Sequence, residues 1–291
     1  MPELPEVDIV KQGLAPILTG ALIERVILNR NGLRLPFAAN FAQRLSGQKV
    51  IHVGRRAKYL LFTLSSSEVL LSHLGMTGNF RFAQPDPQTG EIKTGFQKHD
   101  HVIFELSGTD APAPFLVYSD PRRFGFMELV EDIETCKFLV GLGPEPLGNA
   151  LTAASLAEQL HRRKAPIKAT LLDQRVIAGL GNIYVCEALH RAAIDPRTRS
   201  CDLAATPGTP GPALESLVLQ IRLVLNEALQ AGGSTLKDFR KVDGGGGYFQ
   251  HRFFVYDREG EPCLNENCKG TITRIVQSGR SSFYCPECQN T

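Results

Sequence analysis

The sequence predicts an α+β protein in which an N-terminal β-sandwich with a flanking helix is followed by a helical domain and a small β-hairpin. Three observations predict it. Eight short β-branched or aliphatic runs separated by turns lie between Ala21 and Glu131, helical periodicity takes over from Thr152 to Ala231, and four of the seven cysteines bracket a strand–turn–strand pattern near the C-terminus. Strands that short, in such number, imply a sandwich or barrel.

Residues 6–18 place Val7, Val10, Leu14 and Ile17 at helical spacing, which predicts the flanking helix. The strands follow at 22–28, 50–53, 58–64, 68–72, 79–82, 101–106, 115–118 and 125–130. The breaker-rich stretch Gly141-Leu142-Gly143-Pro144-Glu145-Pro146-Leu147-Gly148 marks a boundary. Beyond it, Thr152 caps a helix over 153–162, and further helices are expected at 167–175, 183–192 and 213–231, with 206–212 as a loop. From Ser234 the chain reverts to small β-like pieces. The expected domains are therefore 1–140, 141–235 and 236–291.

At 291 residues the chain is long enough for about two domains, and 43% hydrophobic with 21% charged residues is the composition of an ordinary globular protein. With 32 basic against 30 acidic residues the net charge is +2, so any nucleic-acid footprint must be local. No run approaches the apolar length of a membrane span, and Glu3, Glu6 and Asp8 precede the first lysine, unlike a secretory leader. The expected location is the cytoplasm, with no membrane partner.

Cys263, Cys268, Cys285 and Cys288 are spaced C-x4-C-x16-C-x2-C, within the gaps that close a tetrahedron on Zn(II). The intervening residues read as strand, turn, strand, so the expectation is one structural zinc per chain on a β-hairpin. Four thiolates leave no open position for water, hence the metal holds something in place. Lys269, Arg274 and Arg280 make the hairpin locally basic, and hairpins of this kind can enter a nucleic-acid groove. Arg55-Arg56-Ala57-Lys58, Arg122-Arg123 and Arg162-Arg163-Lys164 form further basic clusters; singly such runs are solvated faces, together they point to nucleic acid.

The start Met1-Pro2-Glu3-Leu4-Pro5-Glu6 offers a nucleophile. Removal of Met1 leaves Pro2 with a free secondary amine, and an α-amino group near pKa 8 is about a tenth unprotonated at pH 7. Attack of such an amine on an aldehyde-level carbon gives an iminium that is cationic without needing a proton. Glu3 and Glu6 stand next to it as acid or base.

These residues add up to a resemblance. Met1-Pro2-Glu3-Leu4-Pro5-Glu6-Val7, Arg55-Arg56-Ala57-Lys58-Tyr59, His73-Leu74-Gly75-Met76-Thr77-Gly78, Lys98-His99-Asp100-His101, Asp120-Pro121-Arg122-Arg123-Phe124-Gly125, Gly143-Pro144-Glu145-Pro146-Leu147, Gly179-Leu180-Gly181-Asn182-Ile183-Tyr184 and the cysteine hairpin occur in this order along the whole chain. Taken together the set is very specific, and the sequence resembles the formamidopyrimidine-DNA glycosylases, repair enzymes for oxidised purines.

The resemblance implies excision of 8-oxoguanine and ring-opened purines from double-stranded DNA, then strand cutting by β,δ-elimination, by a monomer associated with the nucleoid when bound. It implies a helix-two-turn-helix in the helical domain. Pro2 would displace the base and become the Schiff base, Glu3 would donate or accept a proton at the deoxyribose with Glu6 in support, Lys58 would act in β-elimination, and Arg280 would hold the phosphates flanking the lesion. Met76, Arg122 and Phe124 match the family's intercalating trio, an apolar wedge with one guanidinium. His73, His99, Arg163, Lys164 and Asn182 match its DNA contacts. Asp243-Gly244-Gly245-Gly246-Gly247-Tyr248-Phe249 falls where the family has a loop over the flipped base; other members carry bulkier residues among these glycines. Their first cysteine pair also has two intervening residues where this chain has four. No role is expected for Cys136, Cys186 and Cys201.

Three rivals remain open at this stage: an endonuclease VIII-like enzyme for oxidised pyrimidines, a catalytically silent binder of damaged DNA, and a proline tautomerase. The last needs neither zinc nor basic clusters.

Overall fold

The computed structural model describes residues 2–85, 97–204, 206–236 and 239–290. The chain forms two compact units, one of Met1–Val140 with Ala231–Tyr248, the other of Gly141–Gln230 with Phe249–Thr291.

In the first unit α1 (Leu4–Leu18) buries Leu4, Val7, Val10, Leu14 and Leu18, the stripe expected of an amphipathic helix. All eight expected strands are present: β1 (Leu22–Leu28), β2 (Val50–Arg56), β3 (Tyr59–Leu64), β4 (Val69–His73), β5 (Asn79–Ala83), β6 (Asp100–Ser107), β7 (Phe115–Ser119) and β8 (Phe126–Val130). They make two four-stranded sheets of order β1-β6-β7-β5 and β2-β3-β4-β8, antiparallel throughout. Alternation on β3 turns Leu60, Phe62 and Leu64 inward. There they meet Ile23, Phe104, Leu116 and Tyr118 of the other sheet in one core that also takes Val7, Val10 and Leu14 of α1. A five-residue helix, α2 (Phe41–Leu45), follows the left-handed Asn40; its segment carries too short a pattern to be read as a helix.

Ala231–Tyr248 belongs with this first unit, whereas the sequence reading splits it between the helical and hairpin domains. The physical reason is local: Phe239 joins the sandwich core, and the Ser234 N–H donates to Glu6 at 2.8 Å.

The second unit holds α3 (Ala153–Leu160), α4 (Ile167–Leu171), α5 (Asn182–Arg191) and α6 (Pro212–Gln230). The Thr152 hydroxyl caps α3 by accepting the Ser155 N–H at 3.0 Å. The α4 helix is shorter than expected because Asp173 accepts the Arg175 N–H at 3.0 Å, a local turn that competes with the helix. Strands β9 (Thr273–Gln277) and β10 (Arg280–Tyr284) pair across the two-residue turn Ser278-Gly279, both at positive φ of 49° and 73°, the geometry that matches strand twist. No helix among the described residues is long and apolar enough to cross a membrane.

Candidate active site, metal centre and nucleic-acid interface

In the first unit Pro2 is buried immediately before Glu3, the residue that caps α1. Glu3 and Glu6 form a reciprocal capping box, with the Glu3 N–H donating to Glu6 Oε2 at 2.9 Å. The other oxygen, Oε1, accepts the Ser234 N–H. Both carboxylates are only 2% exposed. Once Met1 is removed, a Pro2 amine followed by two buried carboxylates can attack an electrophilic carbon and pass protons without bulk water.

Lys58 sits in the turn between β2 and β3, after Ala57 at φ 52°, and is 8% exposed. Arg55 shapes that turn, its Nη1 donating to the Ala57 carbonyl at 2.8 Å and its Nε to Asp8 Oδ1 at 3.0 Å. Arg55 is therefore committed internally and is no part of a free basic cluster. His73 ends β4; its Nδ1 accepts the Gly75 N–H at 3.0 Å and its ring stacks on Phe126 at 5.4 Å. Burial, then the Lys58 and Arg34 charges, push this imidazole down to about 4, so at neutral pH it is uncharged.

Met76 is half-buried in the turn after β4, while Arg122 and Phe124 are exposed in the loop before β8. The Arg122 guanidinium lies 4.8 Å over the Phe124 ring, which is 43% exposed. His99 is partly exposed; its carbonyl accepts the Asp120 N–H at 3.0 Å. In the glycine run the Lys241 N–H bonds the Gly245 carbonyl and the Asp243 carboxylate accepts the Gly245 N–H at 2.8 Å. A Cβ on Gly247 would lie 2.1 Å from the Gly233 carbonyl, so this glycine is set by close backbone approach.

In the second unit Arg280 is exposed at the hairpin tip and Lys164 is exposed after α3. Arg163 is partly committed: its Nε donates to Gln159 O at 3.1 Å and Nη1 lies 3.6 Å from Asp173. Asn182 opens α5, and its Nδ2 donates to the Ser281 carbonyl at 2.9 Å. The same carbonyl accepts Lys168 Nζ at 2.9 Å, from a side chain with no exposed surface. Sequence reasoning missed Lys168; its signal was a lone lysine inside an apolar helical run. Glu187 was missed as well: it accepts the backbone N–H groups of Phe254, Val255 and Tyr256 at 2.9, 3.0 and 2.9 Å.

The Sγ atoms of Cys263, Cys268, Cys285 and Cys288 all lie within 4.8 Å of one another, two of the separations being 3.7 Å. A tetrahedron with Zn–S bonds of about 2.3 Å has edges of about 3.8 Å, so the donor set fits zinc. These cysteines hold one structural zinc ion. His190 Nε2 lies 3.5 Å from Cys263 Sγ, as an outer hydrogen bond to a ligating thiolate would.

A sandwich unit opening on a buried proline and a capped helix, a helical unit and a four-cysteine hairpin define a zinc-finger DNA glycosylase. Residues 1–127 match the formamidopyrimidine-DNA glycosylase N-terminal domain, 142–240 the H2TH domain of the same enzymes, and 260–291 a zinc finger found in them and in isoleucyl-tRNA synthetase. The chain belongs to the formamidopyrimidine-DNA glycosylase family, whose members are enzymes with glycosylase and AP lyase activity. Curated relatives include formamidopyrimidine-DNA glycosylases of Afipia carboxidovorans, 51% identical over 99% of this chain and all of that one, and of Rhizobium meliloti, also 51% identical with the same coverage. Among solved structures, a Lactococcus lactis variant in complex with a Fapy-dG-containing DNA aligns over the whole of both chains at 29% identity and TM-score 0.85. MutM in complex with carbocyclic 8-oxo-G-containing DNA aligns over the whole of both at 30% and 0.84.

Proposed function

We propose that this chain excises 8-oxoguanine and formamidopyrimidines from duplex DNA and then cuts the strand by β,δ-elimination, with Pro2 as nucleophile. The observation that carries the reading is the buried pair Glu3 and Glu6, whose capping box holds the residue after Pro2. The Pro2 nitrogen attacks C1′, the glycosidic bond breaks, and the base leaves with that electron pair and a proton. Glu3 protonates the ring oxygen as the sugar opens, leaving a cationic iminium as electron sink. Loss of a C2′ proton then expels the 3′ phosphate, and a second elimination expels the 5′ phosphate; Lys58 serves the first step and Arg280 the second. His99, Arg163, Lys164 and Asn182 bind backbone phosphates, with His73 as a neutral contact. Zinc supplies rigidity to the hairpin bearing Arg280. The enzyme works in the cytoplasm, on the nucleoid when bound to DNA.

Extruding a nucleotide costs a few kcal/mol of unstacking. Met76, Arg122 and Phe124 fill the gap. Phe124→Ala is expected to slow excision from duplex about tenfold, roughly 1.4 kcal/mol, with a smaller effect on cleavage of a preformed abasic site. Equal losses on both substrates would argue against insertion.

A Lactococcus lactis relative also crystallised with an oxidised pyrimidine-containing DNA, so the decisive assay compares three duplexes. Incision of 8-oxoguanine opposite C is expected to be fastest, ahead of 8-oxoguanine opposite A and of an oxidised pyrimidine. A preference for the pyrimidine supports the endonuclease VIII-like reading. No incision of any supports a silent binder.

A further inference from the structure

The loops that carry the wedge side chains share one buried carboxylate. Asp120, just after β7, has no exposed surface. Its Oδ1 accepts the Thr77 hydroxyl at 2.5 Å and its Oδ2 accepts the Gly125 N–H at 2.9 Å. Thr77 follows Met76, and Gly125 follows Phe124, so one side chain holds both loops. The Thr77 hydroxyl oxygen in turn accepts the Arg122 N–H at 3.1 Å. Through its backbone Asp120 also accepts from Arg123 at 3.2 Å and lies 2.9 Å from His101 Nε2.

The two loops meet backbone to backbone. Gly75 has φ 63°, and a Cβ there would lie 2.3 Å from the Gly125 nitrogen. Beneath them is the fully buried Tyr118; a Cβ on Gly78 or Gly125 would approach its hydroxyl oxygen to 2.3 or 1.9 Å. Other buried carboxylates serve different ends. Asp100 pairs with Arg81 at 2.5 Å, and Glu187 anchors a backbone segment. Asp120 alone among these three bonds two loops whose tips are the wedge residues.

We infer that Asp120 is a positioning residue for the wedge: by accepting from both loops it makes Met76, Arg122 and Phe124 one rigid insert. This rests on the reading that the three side chains fill the space left by the flipped base. Fixing two loops before DNA arrives removes the entropy that each would otherwise lose on insertion. In Asp120→Asn the carboxamide retains the size but offers one acceptor oxygen in place of two, so either the Thr77 hydroxyl or the Gly125 N–H faces an NH2 group.

The test uses the full-length enzyme with two substrates: a duplex containing 8-oxoguanine opposite C, and a single strand containing a preformed abasic site, which needs no extrusion. Asp120→Asn is expected to lower single-turnover excision from the duplex at least tenfold. Single-strand cleavage should stay within twofold and zinc content should stay at the wild-type value, even though the loss of a buried hydrogen bond lowers the melting temperature. Thr77→Val should show the same pattern with a smaller loss, and it carries the test if Asp120→Asn does not fold. Duplex excision within twofold of wild type in the folded variant, or equal losses on both substrates, would overturn the inference. Phe124→Ala separates the two ideas: if it too leaves duplex excision unchanged, the wedge reading itself fails, whereas a loss there with none in Asp120→Asn sinks only the role of Asp120.

Discussion

Pro2→Gly is expected to weaken the borohydride-trapped protein–DNA adduct severely and to reduce base excision by on the order of a thousandfold, about 4 kcal/mol of transition-state stabilisation. Three properties of Pro2 set the size of this loss. A secondary amine gives an iminium that carries its positive charge permanently, whereas the imine from a primary amine must capture a proton to become an equal electron sink. The ring also ties the attacking nitrogen to the side chain, so it cannot rotate about N–Cα as the free amine of a glycine can. Finally, Pro2 is buried in the native structure, so the substitution leaves space and extra freedom where the attacking atom must be held. Because the capping box joins Glu3 and Glu6, α1 should keep its start, and the melting temperature should change little. The same logic predicts that active enzyme lacks Met1: mass spectrometry finding Met1 or an acetyl group on active protein would rule out the Pro2 amine as nucleophile. Trapping and excision that both persist undiminished in Pro2→Gly would show that the secondary amine is not required.

How far the fold is legible depends on the range of the physics that sets each element. Alternation on β3 and the apolar stripe of α1 are local patterns, and both elements appear within a few residues of expectation. The α2 helix escapes because five residues after a left-handed Asn40 carry less than two turns of periodicity. The four metal-ligating cysteines are legible because their spacing is itself the signal. Partnerships are another matter. Lys168 bonds a carbonyl 113 residues away, Glu187 three amides 67 to 69 residues away, and Asp120 a hydroxyl 43 residues away. No local pattern encodes those encounters. Arg55 teaches the converse: read as part of a basic cluster, it is held by Asp8, 47 residues away. Charge runs report composition, and only packing reports which charges are free.

Cys285→Ser is expected to eliminate zinc binding and to weaken DNA binding at least a hundredfold while leaving the sandwich folded. Cys285 has no exposed surface and shares a small core with Val255, Ile272 and Phe283. A Cβ on Gly270 would lie 2.6 Å from its sulfur, so the thiolate is tightly enclosed. Structural zinc contributes roughly 10–16 kcal/mol in small domains, far more than so small a core can replace, and the hairpin should come apart without it. The sandwich core contains none of these residues, which predicts a protease-resistant fragment from the first unit and rapid cleavage near residues 260–290. Arg280→Ala separates the metal from the cation it supports. That variant should keep about one zinc per chain and the wild-type melting temperature, yet lose δ-elimination and shallow the salt dependence of binding by about one unit of slope. Full incision by chelated enzyme would remove Arg280 from the mechanism, and a zinc-replete Arg280→Ala with normal δ-elimination would show that the hairpin serves the fold alone.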